Sequence, residues 1–134
     1  IFIADAQSIT AASADRQPLD GGGTLRLMIN TEPAVNAAGQ LAFAADILDD
    51  DFRDFLGEGL FYYDPDAGLL EIARAGDAFA GGTLDSFSLA GNRSFIGTTI
   101  TDDDFGNLND AGQLAFTFEL TDGRTGIARW TPEV

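Results

Sequence analysis

Histidine, cysteine and lysine are all missing from this 134-residue chain. Without cysteine there are no disulfides and no thiolate metal sites. Without histidine the usual general base is gone, and with it the common zinc sites and Ser–His or Cys–His catalysis. No apolar run approaches the roughly 20 residues of a membrane-spanning helix, and no basic-then-apolar leader opens the sequence. Positive charge is scarce, with seven Arg against 22 Asp and Glu and a formal charge of −15. Such a surface repels phosphate backbones and anionic lipid, so neither nucleic-acid binding nor membrane insertion is expected. What is abundant is glycine, with 16 residues, and phenylalanine, with 11, in a chain that is 45% hydrophobic. That composition suits one folded domain with many tight turns.

Within it the octapeptide Asn36-Ala-Ala-Gly-Gln-Leu-Ala-Phe43 returns as Asn109-Asp-Ala-Gly-Gln-Leu-Ala-Phe116. Further phrases recur in the same order: Gly59-Leu-Phe-Tyr-Tyr63 with Gly126-Ile-Ala-Arg-Trp130, and Ala11–Asp15 before Gly22-Gly-Thr-Leu25 with Ala73–Asp77 before Gly81-Gly-Thr-Leu84. An internal repeat makes each copy one supersecondary unit that leans on its neighbours. The copies divide the single domain 1–134 into a partial copy 1–35, a full copy 36–90, an insertion 90–106 and a partial copy 107–134.

The periodicity is that of strands. Runs 40–48 and 113–121 each follow an Asn-x-Ala-Gly phrase, whose Asn and Gly tolerate the positive φ of a tight hairpin. Runs 59–63, 69–75, 83–89 and 126–130 are short, aromatic or branched, and bounded by Gly or Asp-Pro turns. The expected fold is all-β, with antiparallel four-stranded repeat sheets resembling β-propeller blades, about two and a quarter copies with permuted ends. Gly39 and Gly112 are predicted to hold equivalent positive-φ positions, with Leu41 and Phe43, and Leu114 and Phe116, on buried faces.

The phrases NDAGQLAF, GLFYYD, IARAGD with GGT, and GIARW resemble the NDAGQ-type repeats of secreted bacterial proteins. Those repeats are β-propeller-like, related to the HAF repeats, and often precede a PEP-CTERM sorting tail. The resemblance implies export to the extracellular space or cell surface and a β-repeat fold. It brings no catalytic residues with it, and the chain is expected not to be an enzyme.

Three sets of residues stand out as candidates. Asp102, Asp104 and Asn107 surround a glycine in an oxygen-rich loop of the kind calcium requires, which makes Ca²⁺ the one cofactor to look for. Asp49–Asp51 with Asp54, and Asp64 with Asp66, are weaker versions of the same pattern. Tyr62, Tyr63 and Trp130 lie on equivalent strands; alternation would set Tyr62 or Tyr63 outward to stack on glycans, while core packing is the commoner fate of such residues. Finally, Ile1, Phe2 and Ile3 at one end, and Gly126, Ile127 and Trp130 at the other, read as edge strands of incomplete copies. Open edges template pairing with another chain. The leading expectation is therefore an extracellular structural module that self-associates by strand addition into a filament or surface assembly. An oligomeric propeller lectin, binding glycans with or without calcium, is the alternative.

Overall fold

A glycine-punctuated, strand-rich chain satisfies its backbone most cheaply in antiparallel hairpins, and the computed structural model does so in three sheets. It describes residues 2–4, 9–11, 13–27, 33–89 and 108–132. Strands β1 (Phe2–Ala4) and β2 (Ile9–Ala11) pair with each other as a separate hairpin. Then come β3 (Thr24–Arg26), β4 (Ala34–Val35), β5 (Leu41–Leu48), β6 (Phe55–Asp64) and β7 (Gly68–Arg74). They form a central sheet in the order β3-β5-β6-β7, with β4 also against β5. The last sheet holds β8 (Ala78–Phe79), β9 (Gly82–Ser88), β10 (Leu114–Leu120) and β11 (Thr125–Trp130), in the order β11-β10-β9-β8. All pairings are antiparallel, and no helix occurs among the described residues. The fold is all-β and built of blade-like repeats.

The two larger sheets share one register. Leu41 pairs with Tyr63 and Leu25 with Ile47 in the central sheet; Leu114 pairs with Trp130 and Leu84 with Leu120 in the last. Their entry turns also match. Gly39 and Gly112 take φ of 76° and 78°, each donating its N–H to the carbonyl of Asn36 or Asn109. The Asn36 side chain accepts the N–H groups of Ala38 and Gln40, and Asn109 does the same for Ala111 and Gln113. The motif thus spells a turn closed by its own asparagine.

One phrase alignment shifts by two residues. The sequence matched Asp15 to Asp77, but hydrogen bonds set Gln17 in the place of Asp77. Gln17 N–H reaches the Ala14 carbonyl and Asp77 N–H the Arg74 carbonyl, while Leu25 and Leu84 donate to the carbonyls of Gln17 and Asp77. Arg16, at φ 64°, then fills the left-handed position that Gly76 holds at 99°. A bend fixed by main-chain bonds tolerates such swaps, which is why residue matching misplaced it.

Both faces of the central sheet are covered. Leu41, Phe43, Ile47, Phe61 and Tyr63 pack on one side with Leu25 from the amino-terminal segment. Ala42, Leu60 and Tyr62 pack on the other with Leu84, Leu114, Phe116 and Leu120 of the last sheet. This double burial explains the nearly unbroken apolar run Leu41–Leu48, where β10 alternates. Leu41, Phe43, Leu114 and Phe116 are all buried, yet the first pair and the second sit in different clusters. The sheets stack head to tail, each turning the same face toward the preceding unit.

Candidate functional site

The junction between the two repeats is stitched by the repeat residues themselves. Asn36 Nδ2 donates to the carbonyl of its own counterpart, Asn109, at 2.8 Å, and Ala37 N–H reaches Asp110 Oδ1 at 3.1 Å. At the other end of the interface Glu58 accepts the Phe87 N–H at 3.1 Å. Stacking therefore fixes both ends of the pair of sheets and leaves a wedge between β7 and β11.

Two cavities open in that wedge, and Trp130 walls both. The larger, about 650 Å³, is bounded by Gln40, Tyr62, Asp64, Leu70 and Pro132. The smaller, about 240 Å³, runs between Ile72 and Ala73 of β7 and Phe116 and Ala128 of the last sheet. Tyr62 and Trp130 stand with ring centroids 4.7 Å apart and planes tilted by 56°. Gln40 Nε2 donates to Asp64 Oδ2 at 2.8 Å, while Asp64 Oδ1 accepts Asp66 and Ala67 N–H groups. These donors, Gln40 first, hold the Asp64 carboxyl below its ordinary range, so it is an anion at neutral pH. Burial, with the Asp64 charge nearby, pushes the Tyr62 phenol up, which keeps it neutral.

Along one side of the wedge runs the outer edge of β11. Leu120 N–H bonds to the Arg124 carbonyl, and alternation from that bond turns the main-chain groups of Thr125, Ile127 and Arg129 away from β10. On β6 the corresponding edge is paired by β7, with the Glu58 carbonyl also accepting Ala75 N–H at 2.8 Å. No described residue pairs with the outer edge of β11. Its outer face is open too: Ile127, at 81% exposure, holds the register position where Leu60 is fully buried.

The aromatic triad expected from the sequence is split. Tyr62 and Trp130 meet in the wedge, but Tyr63 lies in the opposite cluster at 8% exposure. Tyr62 itself is only 4% exposed. Alternation does send the two tyrosines to opposite faces, but both faces of their sheet are interior, so the outward position is corrected to a buried one. Phe2 and Ile3 lie in β1, and Gly126, Ile127 and Trp130 in the edge strand β11. Ile1, the insertion 90–106, and Asp102, Asp104 and Asn107 fall outside the described residues. Among the described residues no three carboxylates are grouped so that they could hold a metal ion. Asp49 instead caps its own turn by accepting Arg53 N–H at 2.8 Å, as Asp64 does for Asp66.

Two features of the wedge escaped sequence reading. The Gln40–Asp64 pair was hidden because Thr131 takes the place of Asp64 in the last copy, so the repeat offers no second example. Leu70, half exposed, shows nothing in sequence to separate it from a core leucine.

Repeated antiparallel blades, stacked in one sense and sharing one register, define a blade-repeat protein of the all-β class. Residues 11–133 match the model of a family of unknown function, DUF7453, and the chain belongs to that family. No curated protein and no solved structure matches the chain.

Proposed function

We propose that the chain is an extracellular structural module that self-associates by strand addition at β11, building a filament or surface assembly. The observation that carries this is the unequal treatment of two equivalent strands. β6 has β7 on its outer edge, whereas β11, in the same register, has no partner there among the described residues. Unpaired N–H and C=O groups beside an apolar wedge favour capture of an extended strand. Head-to-tail stacking favours open growth over a closed two-fold pair, because each unit turns a different face to its two neighbours. The extracellular setting is supported by the NDAGQ-type phrases and by the acidic, lysine-free composition.

The test is Ile127→Pro. The Ile127 N–H points outward and its side chain is exposed, so proline there removes an edge donor while sparing the β10 ladder. Sedimentation at rising protein concentration should show the native chain forming larger species and the variant, with an unchanged circular dichroism spectrum, remaining monomeric. A native chain that stays monomeric at every concentration would overturn the proposal.

A further inference from the structure

We infer that the larger cavity of the wedge, where the turn after β6 faces Trp130 and Pro132, is a binding site for an uncharged sugar ring. The site does not depend on self-association. It lies beyond Thr125 and Ile127, whose outward main-chain groups are where a strand would add. Its volume of about 650 Å³ falls within the roughly 300–1,000 Å³ of small-molecule sites. Gln40, Asp64 and Trp130 are each half-buried, so their neighbours hold them while part of each side chain still meets solvent.

One wall of the cavity is polar. An ionised carboxylate offers roughly four lone-pair sites. Asp64 uses three of them, for the Asp66 and Ala67 N–H groups and for Gln40 Nε2. Gln40 Oε1 is taken by Asn36 Nδ2 at 2.7 Å, but Gln40 Nε2 carries a second hydrogen. A donor and an acceptor are thus left side by side, 2.8 Å apart. Adjacent hydroxyls of a pyranose present the complementary pair at a similar separation, one accepting from the amide and the next donating to the carboxylate. The Asn36–Gln40 turn does not need this carboxylate, because Asn109 and Gln113 close the matching turn with Thr131 in the place of Asp64. The facing wall is apolar, made by Trp130, Leu70 and Pro132. Tyr62 packs against the Trp130 ring at 4.7 Å between centroids, and Leu70 is half exposed. Such a wall accepts the C–H face of a sugar whose hydroxyl edge is satisfied opposite. Charge narrows the class further. Asp64 is an anion in a chain of formal charge −15, so acidic sugars are repelled. An ammonium ligand would use the carboxylate but leave the amide donor without a partner. A neutral pyranose uses both.

Trp130 is the sole tryptophan, so its emission reports on the apolar wall directly. Cellotriose, maltotriose and chitotriose are each titrated to millimolar concentration into the native chain, following Trp130 emission and calorimetric heat together. The expected result is a saturable change in both signals with at least one of them, and none with trigalacturonate or choline. Asp64→Asn keeps an oxygen for its own turn but loses the charged acceptor, and should bind at least about tenfold more weakly. Leu70→Glu, at a half-exposed position, should weaken binding similarly by setting a charge on the apolar wall. Thermal melting followed by circular dichroism checks that both variants are folded. Ile127→Pro should bind as the native chain does, whether or not that chain self-associates. A native chain that binds sugar but stays monomeric leaves this site standing and overturns only the strand-addition reading. No saturable signal with any of the three sugars would overturn the assignment. So would a sugar that binds both pocket variants as tightly as the native chain, or choline binding in place of sugar.

Discussion

At Gly112 two demands meet that are separate elsewhere. Its φ of 78° is one that a side chain rarely tolerates, and a Cβ there would come within 3.1 Å of both Gln40 Oε1 and the Tyr62 hydroxyl. Gly39 has the same backbone, φ 76°, but its Cβ would meet only a Pro65 carbon at 3.5 Å, an ordinary contact. Gly39→Ala should therefore cost about 1 kcal/mol, the strain of a left-handed residue alone. Gly112→Ala should cost clearly more, because it also pushes on the Gln40–Asp64 pair and on Tyr62. Urea midpoints of the two variants check this, and equal losses would show that the junction gives way without strain. At this scale the turn was legible: Asn and Gly at fixed spacing state their conformation locally. The neighbours of Gly112 were not, since they belong to the other copy and reach it only through stacking.

Among the strands, β6 carries the most contradictory duties, with β5 and β7 on its edges and apolar clusters on both faces. Its hairpins could be read from alternation and glycine, and core packing was the commoner fate for its tyrosines. That Tyr62 and Tyr63 are both buried on opposite faces could not be read, because one strand does not reveal whether a sheet has one interior face or two. Glu58 is where this double burial meets charge. Burial, then the charges of Asp46 and Asp85, raises its pKa above the ordinary 4.5, against the lowering effect of the Phe87 N–H. The folded state therefore binds this proton more tightly than the unfolded chain. Below pH 4.5 both states are protonated and nothing is lost; as pH rises through the folded value, ionisation costs stability. Glu58→Gln keeps an oxygen for Phe87 and removes the charge. The variant should melt higher than the native chain near pH 7, and this advantage should vanish near pH 4. A melting difference that does not change with pH would show that the amide repacks the junction and that titration is not the cause. Asp64 works in the opposite sense, its lowered pKa adding stability that is lost only as pH falls below 3.8.

For the whole molecule the octapeptide, repeated with one change, already pointed to units that lean on one another, because phrases recurring in the same order mark equivalent supersecondary units. It could not tell which face meets which, and in the arrangement adopted no described residue pairs with the outer edge of β11 or covers Ile127. Growth there must bring together copies that each carry a formal charge of −15. At about 0.01 M salt such charges repel across roughly 30 Å, whereas near 0.15 M the range shrinks to about 8 Å. The bonds proposed at β11 are main-chain hydrogen bonds and apolar contacts, which salt at these concentrations scarcely weakens. Self-association should therefore strengthen as sodium chloride is raised over this interval, and Ile127→Pro should remain monomeric throughout. Copies joined by ion pairs between their Arg and carboxylate side chains would show the reverse, because screening weakens attraction as well as repulsion. Sedimentation across the salt series separates the two directly: larger species at higher salt support an uncharged strand joint, and dissociation at higher salt would place the contact on the charged surface, away from β11.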